Sequence, residues 1–123
     1  TLTRFCASLM ERVMTPEIIA LHRLVVAESG RFPELGRIYY ERGPRITQTM
    51  LTGYLEGVME RGLVRRDDAR AAASALIGLC TAGYYQQVLT NWVDEVPPEQ
   101  IERDIDRAVA LFLRAYARDA GED

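Results

Sequence analysis

Apolar residues recur along this chain at three- and four-residue spacing, the period that places side chains on one face of a helix. Breakers and capping residues divide the pattern into helix-length pieces. The first piece, Leu2 to Met14, carries Leu2, Phe5, Cys6, Leu9, Met10 and Val13. Thr15-Pro16-Glu17 starts a second, with Thr at the N-cap and Pro in the first turn; it ends near Ser29-Gly30. Phe32-Pro33-Glu34 opens a shorter piece that closes at Arg42-Gly43. Pro44 opens a fourth, which stops at Arg61-Gly62, where Gly supplies a left-handed closing residue. Asp67 or Asp68 caps a fifth helix, expected to run about 25 residues to Val93. After Val96-Pro97-Pro98-Glu99 the last helix sets Ile101, Ile105, Val109, Phe112 and Tyr116 in a stripe. No segment alternates cleanly and no Asn-Gly or Asp-Gly hairpin turn occurs. The expected fold is an all-α bundle of about six helices forming one domain over residues 1–123.

The fifth helix is unusual in having apolar residues around nearly its whole circumference. Ala71, Ala72, Ala73, Ala75, Leu76, Ile77, Gly78, Leu79, Cys80, Ala82 and Gly83 follow one another almost without interruption. An amphipathic surface helix needs a single buried stripe, so this pattern predicts cover on two sides, one of them from a second copy of the chain. The expected interface residues are Ala72, Leu76, Cys80, Gly83 and Gln87 on this helix and Ile105, Val109, Phe112 and Tyr116 on the last. Two long helices from each chain would form a four-helix bundle and bury about 1,500 Å² in total.

Composition narrows the functional classes. The 123 residues are 48% hydrophobic and 27% charged, ordinary for a globular domain, and the net charge of −3 offers no general basic footprint for nucleic acid. All 15 basic residues are Arg. Cys6 and Cys80 read as buried free thiols in a reducing cytoplasm. The stretch from Ala71 to Val93 is too polar to cross a membrane, and the opening TLTRFCASLM holds no signal peptide. Because the chain starts with Thr and goes straight into a helix without an evident cap, it reads as a fragment of a longer protein.

No catalytic pattern is present: there is no nucleophile elbow, phosphate loop or His-centred triad. Asp67-Asp68 is explained by helix capping, Asp94-Glu95 by a solvated turn, and the acidic tail by a frayed terminus. His22 is the only histidine, with no second ligand at zinc spacing, so neither metal nor cofactor is expected. Around the fourth helix, aromatic and Met side chains suit an adaptable pocket for organic molecules. The pocket candidates are Phe5, Met10, His22, Met50, Tyr54 and Tyr84, with Tyr39 and Tyr85 nearby in the same wider set. The same stripe also serves as ordinary core. Gly53 and Gly57, one turn apart, answer either to close helix packing or to room for a ligand.

Several motifs occur in a specific order. A Pro-started helix ends in Phe-Pro-Glu-Leu (Phe32 to Leu35), followed by Tyr-Tyr-Glu-Arg-Gly-Pro (Tyr39 to Pro44). Glu-Arg-Gly-Leu-Val-Arg (Glu60 to Arg65) then leads into the Asp-capped, Ala-rich helix. Together they resemble the C-terminal domain of the tetracycline-repressor (TetR) family, the AefR-like branch in particular. The resemblance implies a cytoplasmic, homodimeric transcriptional regulator whose last two long helices make the dimer bundle. It further implies middle helices enclosing a small hydrophobic or amphipathic effector, and DNA contact only through an N-terminal helix-turn-helix domain that this chain does not contain. The alternatives are a free-standing helical small-molecule-binding protein or enzyme, and a purely structural dimerisation module.

Overall fold

Seven helices account for the regular structure of the described residues, 1–95 and 97–118, of the computed structural model: α1 (Leu2–Val13), α2 (Pro16–Glu28), α3 (Pro33–Arg42), α4 (Pro44–Glu60), α5 (Ala69–Thr81), α6 (Tyr84–Leu89) and α7 (Pro98–Ala115). Local chemistry sets most boundaries. Pro occupies the first turn of α2, α3, α4 and α7, where its missing N–H leaves no helix bond unmade. The Thr15 hydroxyl accepts from the Ile18 N–H, and Asp68 accepts from both Arg70 and Ala71 N–H groups. Gly62, at φ +73°, closes α4. Its N–H donates to the Met59 carbonyl and that of Leu63 to Val58, the paired bonds of a Schellman motif. The start of α1 differs from expectation, since the Thr1 hydroxyl does cap it by accepting from the Arg4 N–H at 3.2 Å. The acidic tail, 119–123, and Val96 lie outside the described residues.

The expected long fifth helix is interrupted. It stops at Thr81, turns at Ala82-Gly83, and resumes as the six-residue α6, which ends at Leu89 rather than Val93. A side chain at Gly83 would meet the Asp104 carboxylate of α7 at 3.2 Å, so the turn lies tight against the last helix. Asn91, at φ +62°, then takes the left-handed position after α6, and the Trp92 N–H reaches back to the Gln87 carbonyl.

The core is built on α1, α4, α5 and α7. Leu51 and Leu55 of α4, Leu76 and Cys80 of α5, Cys6 of α1 and Phe112 of α7 are its most deeply buried side chains. Ala72 and Ala73 are also fully buried, and their small size lets α4 and α7 approach the α5 backbone. Cys6 and Cys80 are free and buried; the hydrogen bond to Cys6 and burial push the Cys80 thiol well above its usual range. Tyr116 stacks on Phe112 with centroids 4.7 Å apart, and its carbonyl accepts from the Arg65 N–H, pinning the end of α7 to the α4–α5 loop. Among the described residues no helix is long and apolar enough to cross a membrane.

This arrangement corrects the expected interface set. Ala72, Leu76, Cys80, Ile105, Val109 and Phe112 are buried by their own chain and have no surface left for a second copy. Gly83 abuts Asp104, and Tyr116 is half-buried against Phe112, while Gln87 is half-buried on α6. The apolar coverage of α5 is two-sided, as the pattern implied, but the expected interface residues lie mainly on its inner side. One side enters the chain's own core, and Ala71, Ala75, Gly78, Leu79 and Ala82 remain exposed on the other.

Truncating Leu76 to Ala should lower unfolding free energy by about 2–5 kcal/mol, the usual cost of a core cavity. Met50→Ala, on the outward face of α4, should change it by only about 0.5 kcal/mol. Urea titrations giving similar losses for both would contradict the core just described.

Candidate functional site

Two helices contribute little to the core. α3 has no buried residue and α2 buries only Ile19 and Val25. Part of their apolar surface, Ile18, Leu21 and Val25 of α2 with Leu35 and Ile38 of α3, instead faces a cavity of about 490 Å³. Leu9, Arg12 and Val13 of α1 form one side, and Ile18, Leu21, His22 and Val25 of α2 the next. Leu35, Ile38, Tyr39 and Arg42 come from α3, and the α3–α4 junction adds Gly43, Pro44 and Thr47. Ile77 and Thr81 of α5 and Tyr85 of α6 complete the wall. A chamber of this size and lining falls within the usual range for small organic ligands.

One wall is aromatic. The His22 ring lies 5.7 Å from Tyr39, tilted, and 6.1 Å from Tyr85, edge to face, centroid to centroid. His22 Nδ1 and the Tyr85 hydroxyl share a 2.9 Å hydrogen bond. Burial lowers the His22 pKa and raises that of Tyr39; Tyr85 is raised by burial and by the proximity of Tyr39. All three groups are therefore neutral near pH 7, and the wall presents polar atoms without charge.

Arg23, beside His22, fastens the same wall. Its guanidinium donates to the Val88 and Leu89 carbonyls and, at 3.0 Å, to Asn91 Oδ1. These carbonyls end α6; that of Val88 also accepts from the Asn91 N–H, and a cation there matches the helix dipole. Adjacent residues of α2 thus hold α6 twice, through a side chain inside the cavity and through its C-terminus.

Of the six pocket candidates from the sequence, His22 alone lines this cavity. Met10 is buried in the core and Phe5 packs against it. Met50 and Tyr54 point outward from α4, 60% and 38% exposed. Tyr84 is half-buried but faces away from the cavity wall, which its neighbour Tyr85 lines, because one helical step turns a side chain by about 100°. Tyr39 and Tyr85, from the wider aromatic set, do line it. Gly53 and Gly57 neither line the cavity nor pack closely, since a Cβ at either would meet nothing within 4 Å. Sequence reasoning missed α3 as a wall, although Leu35, Ile38 and Tyr39 at helical spacing carried the signal.

Core on one side and an apolar chamber on the other define an all-helical domain of the kind that ends TetR-type regulators. The family model for the AefR-like transcriptional repressor C-terminal domain matches residues 1–118, and the chain belongs to that family. Its structure is similar to that of a Mesorhizobium loti MAFF303099 protein assigned to the TetR family of transcriptional regulators. That pair has a TM-score of 0.87 and 28% identity over 94% of this chain and 57% of that one. It is also similar to the flavonoid-responsive regulator FrrA, with a TM-score of 0.80 and 29% identity over 93% of this chain and 58% of that one. The chain therefore spans less than two thirds of either neighbour. No curated protein matches its sequence.

Because His22 resists protonation in the folded state, the unfolded chain binds its proton first as pH falls from its ordinary value of 6.5. Stability should therefore drop as pH falls through 6.5 and level off for this group below the lowered folded value. Urea midpoints between pH 7.5 and 5.5 should show a smaller drop for His22→Gln than for the parent chain; equal drops would remove this role for His22.

Proposed function

We propose that this chain is the effector-binding and homodimerisation domain of a TetR-family transcriptional regulator, a repressor released from DNA by a small hydrophobic or amphipathic ligand. The observation that carries the reading is the chamber of about 490 Å³, with walls from six helices and a neutral aromatic side. Similarity to a regulator described as flavonoid-responsive supports planar aromatic compounds as the first class to try. Such a ligand would stack against Tyr39 and Tyr85 and exchange hydrogen bonds with His22 and the tyrosine hydroxyls. Its effect on DNA would follow from differential affinity for two conformations of a longer protein that carries a DNA-reading domain. Wall helices α2 and α6, joined by His22–Tyr85 and by Arg23, are the elements best placed to shift with occupancy.

Dimerisation belongs to the same reading, through a face that excludes the buried residues named above. Leu79 of α5 is 37% exposed, and Ala75, Gly78 and Ala82 lie beside it; Leu111 and Leu113 of α7, each 43% exposed, flank the buried stripe of that helix on opposite sides, so one of them can extend this face. Small residues let a partner helix come close, and the leucines supply apolar area towards the roughly 1,200–2,000 Å² of a stable interface.

Thermal unfolding with a series of flavonoids should show saturable stabilisation, about 2.7 kcal/mol at a hundredfold excess over Kd. Both Leu21→Trp and Ile38→Trp, which crowd the cavity, should reduce it. Stabilisation unaffected by either variant would place the ligand elsewhere, and no stabilisation across the series would count against this ligand class. Sedimentation at micromolar concentration should give twice the 13.9 kDa chain mass, falling towards the monomer in Leu79→Glu. A monomeric parent chain would remove the dimer from the proposal.

A further inference from the structure

The charges at the cavity are all of one sign. Among the described residues lining it, Arg12 and Arg42 are the two charged side chains and none carries a carboxylate. This runs against the composition of the chain, in which 18 acidic residues outnumber 15 basic ones. Both arginines are exposed, so they stand at the opening rather than in the apolar interior. Neither guanidinium makes an ion pair or a side-chain hydrogen bond among the described residues, although Glu11 and Glu41 are their chain neighbours. Glu41 lines a separate surface recess with Arg45.

A simpler account of each arginine exists. Arg12 lies in the last turn of α1 and Arg42 in the last turn of α3, where a cation is favoured by the helix dipole. That explains each one singly, but not why two helix ends contribute cations to one cavity whose described lining residues include no acid. The start of α4 completes the same rim with Gly43, Pro44 and Thr47, and its first turn contains no acidic residue. The interior is neutral, so the electrostatic preference of the site is concentrated at its mouth.

We propose that the ligand is an amphipathic anion, with its apolar body in the chamber and a carboxylate, sulfonate or similarly ionised group between Arg12 and Arg42. This rests on the effector-binding reading and narrows it. Guanidinium groups suit such a partner because their planar donors pair with two oxygens at once. Because both arginines are exposed, the pairing is screened by salt, so the preference is strongest at low ionic strength.

Two fluorescent probes with almost the same body separate charge from shape: the anion 8-anilinonaphthalene-1-sulfonate and its uncharged counterpart N-phenyl-1-naphthylamine. At low salt the parent chain should bind the sulfonate about tenfold more tightly, and Arg12→Gln with Arg42→Gln should abolish that preference while leaving the neutral probe unchanged. Ile38→Trp should weaken both probes, which identifies the cavity as their site. Equal affinities in the parent chain, or a sulfonate affinity indifferent to the double substitution, would overturn the anion assignment while cavity binding of the neutral probe upheld the effector reading. Parallel loss of both probes in the double variant would also overturn it, because the arginines would then be supporting the wall rather than pairing with charge. Failure of both probes to bind the parent chain would remove the ligand site itself.

Discussion

The arrangement depends on how α5 is packed. Its inner face carries Ala72, Ala73, Leu76 and Cys80, all buried against α1, α4 and α7. Small residues at two of these positions let neighbouring backbones close in, while Leu76 fills the space they leave together with Leu51, Leu55 and Phe112. Interiors of this density tolerate little displacement, so α5 acts as a fixed post to which the other elements are referred. Ile77 and Thr81, on a neighbouring face of the same helix, are the rigid floor of the cavity.

Against that post, α2 and α3 are held loosely in energetic terms. They bury few side chains outright and face a chamber where well-packed core would otherwise lie. An unfilled apolar chamber forfeits the dispersion contacts its lining could make, and a ligand of suitable shape restores them. In the proposed function, the sparse packing of the α2–α3 wall and its response to occupancy would thus have the same physical origin. The ties that do restrain it are polar and specific: Arg23 on the end of α6, and His22 with Tyr85. Since α6 is joined to α5 through the Ala82-Gly83 turn, these contacts connect the compliant wall to the rigid post.

Two surfaces are left for intermolecular work, and they differ in chemistry. The outer side of α5 carries Ala71, Ala75, Gly78, Leu79 and Ala82, the apolar face that the proposed function assigns to another copy of the chain. The cavity mouth is cationic and small, suited to one end of a ligand. In the proposed function, occupancy and self-association would therefore act on different faces of the domain, with α5 shared between them.

Helix starts and ends were legible in the sequence because capping is satisfied within about four residues of the chain. Thr15-Pro16, Asp68 and Gly62 each act as their local pattern implied, and the ordered motifs from Phe32 to Arg65 identified the family. The facing of each helix was not legible, because a residue on an apolar stripe meets core, cavity or solvent according to elements far away in sequence. Thus Met10 entered the core, Met50 faced water, and His22 reached the cavity. The interruption at Ala82-Gly83 likewise depended on Asp104 of another helix. That Arg12 and Arg42 line the same cavity was decided by tertiary structure alone, since they lie on different helices, 30 residues apart, and no local pattern encodes their shared position.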